Sequence, residues 1–188
     1  MKHQRSARYL QFGLISFFLM LLICIVIRPI GLVANDGISY YGSFGNTLLP
    51  YSLAFLINSV LMWQAASVMD NETKADRYIV FGLKLFALLF IGILLTPHDM
   101  DIINEIHIIM GSVLFSLQLF TGIVLTLYIY RDWLNITLLT ITLLSGVASL
   151  VYLLQQDGFM IQTQVIFQVS IWLIFIRSLQ RFDHQLDK

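Results

Sequence analysis

Charge is what most constrains this chain, because long stretches carry none of it. Eleven Lys and Arg and eleven Asp and Glu are distributed over 188 residues, and the gaps between them are wide. Residues 9–27, 37–69, 106–130, 133–156 and 158–176 hold no charged side chain, and 78–97 is broken only by Lys84. A helix needs about 20 apolar residues to cross the hydrocarbon core of a bilayer. Each gap therefore holds one span, and the longest holds a span and a loop. The spans are expected near 10–33, 47–69, 78–96, 107–130, 134–154 and 159–178. With 58% hydrophobic and 12% charged residues, the composition excludes an ordinary soluble domain and intrinsic disorder.

The basic residues also set an orientation. With the N-terminus in the cytoplasm, Lys2, Arg5, Arg8, Lys74, Arg77, Lys84, Arg131, Arg177, Arg181 and Lys188 all fall on the cytoplasmic side, and Arg28 alone falls outside. Lys84, about two turns into the third span, can snorkel back to that interface. Lys2, Arg5 and Arg8 before an apolar run also fit a cleaved leader. The run is long, however, and Leu32-Val33-Ala34 lacks the small first residue of a cleavage motif, so the segment is read as a span. Loops are short and no linker is visible. The expected fold is all-α: one integral membrane domain over 1–188, a bundle of six transmembrane helices with both termini cytoplasmic. It belongs in a plasma or inner membrane. The pairs Ser112/Ser116 and Ser145/Ser149, each one turn apart, are expected on packing faces.

On the outer side the chain is acidic and bears histidines. Asp36 lies in the first loop, His98, Asp99, Asp101 and Glu105 lie in the second, His107 opens the fourth span and Asp157 caps the fifth. Acids on the inner side, Asp76 and Asp132 among them, read as a solvated face, and His3 as part of a tail. Two readings of the second loop stand. His98, Asp99, Asp101 and His107 are zinc-type ligands by chemistry. The bland alternative is a polar loop whose aspartates suit the positive end of the fourth helix. Glu105 and His107, two residues apart, point to different faces of a helix, which favours the second.

The stretch from Asn35 to Asn46 is the most distinctive in the chain. Its three glycines permit tight turns, while Tyr40, Tyr41 and Phe44 suit headgroup depth. Arg28 puts a cation at that depth, where a lipid phosphate can lie. One reading is a headgroup pocket of Arg28, Ser39, Tyr40 and His107; the other is an Arg28–Asp36 pair beside an interfacial aromatic belt. Within the spans, Asn58, Gln64, Gln118, Gln162, Gln164 and Gln168 read as interhelical hydrogen-bonding groups, since no acid is present at depth to relay protons.

Several chemistries lack their residues. Cys24 is the single cysteine, which excludes a Cys-x-x-Cys oxidoreductase, and neither Gly-x-Ser-Gly nor His-Glu-x-x-His occurs. Haem would need facing histidines at depth, so no cofactor is called for. Zero net charge gives no field for nucleic acid.

Asp36-x-Ile38-Ser39-x-x-Gly42 after the first span, a histidine (His107) opening the fourth, and a six-span layout with both ends inside together resemble the DRAM-like superfamily and its bacterial six-span relatives. The resemblance implies a lipid-related role and nominates Asp36, Ser39, Gly42 and His107. Two adjacent tyrosines, Tyr40 and Tyr41, depart from the bacterial pattern of an acid followed by a small or aliphatic residue. The leading expectation is a protein that binds or organises lipid at the outer leaflet. A metal- or His/Asp-dependent lipid hydrolase or transferase is the alternative, and a structural subunit of a complex is a third. Membrane lipids are the expected partners, with a membrane-protein partner or a second copy left open.

Overall fold

The computed structural model describes residues 2–34, 36–70, 72–96, 101–129, 131–155 and 158–186, apart from the side chains of 101–103, 153 and 182–186. Six α-helices follow one another: α1 (Lys2–Ile27), α2 (Gly45–Ser67), α3 (Lys74–Leu95), α4 (Asp101–Val124), α5 (Trp133–Gln155) and α6 (Met160–Leu186). All six are long and apolar enough to cross a membrane. No strand occurs among the described residues. Two 3₁₀ segments, Pro29–Val33 and Gly37–Ser43, bridge α1 to α2, and a π turn (Leu125–Ile129) extends α4.

The expected span over 10–33 is corrected at both ends. Helix α1 already runs from Lys2 and stops at Ile27, because Pro29 has no amide hydrogen to continue the α ladder and opens a 3₁₀ turn instead. At about 1.5 Å per residue, 26 residues reach about 39 Å, more than a ~30 Å hydrocarbon core. The surplus turn is used in packing. His3 is buried and its Nε2 lies 2.9 Å from the Asp76 carboxylate. Asp76 closes a capping box with Thr73 at the start of α3, so one carboxylate both caps α3 and holds α1 to it. Asp76 is 3% exposed, so it is not part of a solvated face, and His3 is not in a loose tail.

Packing runs α1–α2–α3 on one side and α5–α6 on the other, with α1 against α6 closing the bundle and α4 set between α3 and α6. Phe17, Phe55 and Phe90 join α1, α2 and α3. Phe86 meets Phe175 across α3 and α6, and Phe115 stacks on Phe167 across α4 and α6. Outward faces are as apolar as the core: Phe12, Leu49, Phe81 and Leu88 are each at least 58% exposed. Water would not tolerate such a surface, whereas lipid tails solvate it. Burial therefore supplies no hydrophobic drive between helices, and close contact and interhelical hydrogen bonds matter more. Ser59 Oγ donates to Ala87 O at 2.7 Å and Ser149 Oγ to Thr163 Oγ1 at 2.7 Å. Gln118 and Gln168 exchange amide hydrogen bonds at 3.1 and 3.3 Å. Ser145 and Ser149 are buried as expected, but Ser112 and Ser116 are exposed, because α4 turns Leu114 and Gln118 inward instead.

Beyond α4, the Asp132 carboxylate is bound by Arg177 and Arg181 of α6 and accepts the Asn135 amide N–H at 2.7 Å. Partial burial pushes this carboxyl up, but the Asn135 N–H and the Arg181 and Arg177 guanidiniums outweigh it and hold it below its ordinary value. A carboxyl held low when folded stabilises fully above its unfolded value, near ~4, and that stabilisation is lost as pH falls through the folded value. Thermal melts in detergent should thus show wild-type stability declining below about pH 4, with part of that slope absent from Asp132→Asn. At neutral pH the variant should be less stable by about 1 kcal/mol.

Candidate functional site

The end of the bundle away from the chain termini carries both 3₁₀ segments, and there the polar side chains of the first loop meet α3, α4 and α6. Irregular backbone exposes amides and carbonyls, so each segment is tied down by a side chain from a helix. Gln164 Oε1 accepts the Ile38 N–H at 2.9 Å, Thr47 Oγ1 donates to Tyr41 O at 2.7 Å, and Gln162 Nε2 donates to Leu32 O at 2.8 Å. Gly37 has φ +59°, a left-handed conformation, and a Cβ there would collide with the Gln164 amide. Gly42 is a different case: a Cβ there would stand 2.8 Å from the Tyr51 ring, so its lack of a side chain admits Tyr51.

Two groups of side chains result. In the first, Arg28 follows the end of α1 and its Nε donates to Tyr40 Oη at 2.9 Å. The guanidinium carbon lies 3.4 Å from the Phe44 ring centroid and 5.5 Å from that of Tyr40, stacked on the aromatic faces. Among the described residues, none accepts a hydrogen bond from its terminal nitrogens. The expected Arg28–Asp36 pair is thus corrected: Arg28 is held by Tyr40 and Phe44, while Asp36 is exposed at the start of the second 3₁₀ segment and is engaged elsewhere. Beside Arg28, Ile30 and Val33 are 59% and 58% exposed.

The second group centres on His107, which is 7% exposed. Its Nδ1 lies 2.6 Å from Thr96 O and its Nε2 lies 2.8 Å from Ser39 Oγ. Ser39 and Tyr40 are consecutive, so the two groups are adjacent but distinct. Tyr41 belongs to neither. It is fully buried against Gly31, facing the core rather than the surface, and burial, aided by Cys24 and Tyr40, pushes its phenol up to about 12.

Of the residues named for a metal, His98 and Asp99 lie outside the described residues, as does Asp157, and Asp101 is described only as the first residue of α4. Among the described residues no three His, Cys, Asp or Glu side chains come together to hold a metal. Sequence reasoning found Arg28, Ser39, Tyr40 and His107 but missed Thr96. Thr96 acts through its carbonyl, which no side-chain pattern records. Gln164, read as an interhelical hydrogen-bonding group, reaches the loop instead.

The chain is a multi-pass integral membrane protein with a polar site at one end of its bundle. Compared with family models, curated proteins and solved structures, it finds no match.

The pinning of the loop predicts that Gly37→Ala is costly. Strain at positive φ and displacement of Gln164 together should lower stability by about 1–3 kcal/mol. Loss of the Ile38–Gln164 bond should accelerate exchange of the Ile38 amide, read by hydrogen–deuterium exchange mass spectrometry.

Proposed function

We propose that this membrane protein binds the anionic headgroup of a lipid at the Arg28 end of its bundle. The observation that carries the reading is the Arg28 guanidinium, stacked 3.4 Å over Phe44 and fixed through Nε to Tyr40, with no acceptor on its terminal nitrogens among the described residues. Arginine held this way presents two parallel N–H donors, a geometry that matches phosphate better than a flexible ammonium does. Because the side chain is already ordered by aromatic contacts, binding costs little further entropy. Exposed Ile30 and Val33 lie beside it as apolar surface for the adjoining acyl chain. The sorting of basic residues supports a plasma or inner membrane with this end in the outer leaflet. The resemblance to DRAM-like proteins, carried by Asp36, Ser39, Gly42 and His107, points to the same lipid-related role.

A metal-dependent hydrolase gains nothing from His107, whose ring nitrogens face Thr96 O and Ser39 Oγ. Headgroup binding is tested by native mass spectrometry of the purified protein titrated with phosphatidylglycerol and, separately, phosphatidylcholine. Arg28→Ala should weaken phosphatidylglycerol binding about tenfold, as expected for loss of a charge-assisted pair, and Arg28→Lys by less. Equal adducts in wild type and Arg28→Ala would remove the site.

A further inference from the structure

We propose that Ser39 is a nucleophile activated by His107, and that the pair cleaves or transfers the acyl group of a carboxylic ester at the membrane surface. The chemistry rests on Ser39 and His107 alone. Only the choice of a lipid ester over a soluble one rests on the headgroup reading.

The proton positions follow from the partners. Thr96 O is a carbonyl and can only accept, so the 2.6 Å contact places the imidazole proton on Nδ1. In the neutral ring Nε2 then carries the lone pair, and Ser39 Oγ, 2.8 Å away, donates to it. Ser39 has one hydroxyl proton, and it is directed at His107. Both steps run one way: Ser39 to His107, and His107 to Thr96. A bond that merely fastened the loop to α4 would need no such polarity. This polarity is what a hydroxyl nucleophile requires: a base within reach of its proton and a third group fixing the tautomer of that base. His107 is 7% exposed, whereas Ser39 is half-buried on the 3₁₀ segment. The base is thus shielded from water while the nucleophile lies at the rim.

In the reaction, Ser39 Oγ attacks the ester carbonyl carbon as its proton passes to His107 Nε2. The bond from that carbon to the alcohol oxygen breaks, and Nε2 returns the proton to the departing alkoxide. This leaves an acyl-serine and a free alcohol. Water or a second alcohol then attacks the acyl carbon, giving its proton to Nε2, and Ser39 leaves and recovers that proton. The net change is hydrolysis or transesterification, with no oxidation or reduction.

The test uses the purified full chain, with folding of each variant checked by thermal melting. Incubated with a fluorophosphonate, wild type should gain one covalent adduct, mapped to Ser39 by peptide mass spectrometry. Ser39→Ala should gain none, and His107→Gln should label at least ~10²-fold more slowly. Folded wild-type protein that stays unlabelled, labelling undiminished in Ser39→Ala, or unchanged labelling of Ser39 in His107→Gln would each overturn the proposal. Should His107→Gln fail to fold, the comparison of wild type with Ser39→Ala still decides. Because the probe has no headgroup, its labelling reports on the pair alone, and failure of the lipid reading is seen separately in phosphatidylglycerol binding. Release of fatty acid from phosphatidylglycerol vesicles supports a lipid ester. Turnover of p-nitrophenyl butyrate alone supports the pair while overturning the lipid as its substrate.

Discussion

A bilayer offers a polypeptide no hydrogen-bonding partner, and everything else in this molecule follows from that. Backbone within the hydrocarbon must satisfy itself, so each crossing segment is a helix. Irregular backbone is confined to the ends, and where it occurs side chains from neighbouring helices take up its polar groups. The first loop illustrates this: Gln164 takes the Ile38 amide, Thr47 the Tyr41 carbonyl, and Gln162 the Leu32 carbonyl. By satisfying the loop these side chains also immobilise it, and a polar constellation on a loop can only be built if the loop is held still.

The same constraint divides the polar residues of the spans by role. Gln118 and Gln168, at depth, bond to each other and stitch α4 to α6. Gln164, one turn from Gln168, has the same chemistry and a different use, because it is close enough to the end of α6 to meet backbone with an unfilled donor. At the opposite end, Asp76 joins His3, Thr73 and the start of α3, and Asp132 gathers Arg177, Arg181 and Asn135. Those clusters clamp helices, and their charges are spent on each other. Arg28 differs because its aromatic partners order the guanidinium without neutralising it.

How much of the site could be read in advance depended on the kind of signal each residue left. Arg28 was conspicuous as the cation set apart from the other basic residues, and Ser39, Tyr40 and His107 lay in the two segments whose composition stood out. Their pairing was not legible. Charge complementarity pointed Arg28 toward Asp36, yet the 3₁₀ turn that begins at Pro29 brings Tyr40 and Phe44 under it. Tyr41 looked as interfacial as Tyr40, but successive residues of a 3₁₀ segment face different directions, and Tyr41 is turned into the core. Ser112 and Ser116 had the spacing of a packing face, but spacing does not say which face turns inward.

By itself the sequence determined the class of the protein, because the positions of charges along a chain decide which segments can enter hydrocarbon, and that decision is local. Six spans and the setting apart of Arg28 from the other basic residues follow from it. Which polar groups meet was decided only by tertiary structure. Ser39 and His107 are 68 residues apart, and Ile38 and Gln164 are 126 apart. Contacts of that range depend on how six helices pack and on where a proline ends the first of them. No local pattern encodes them.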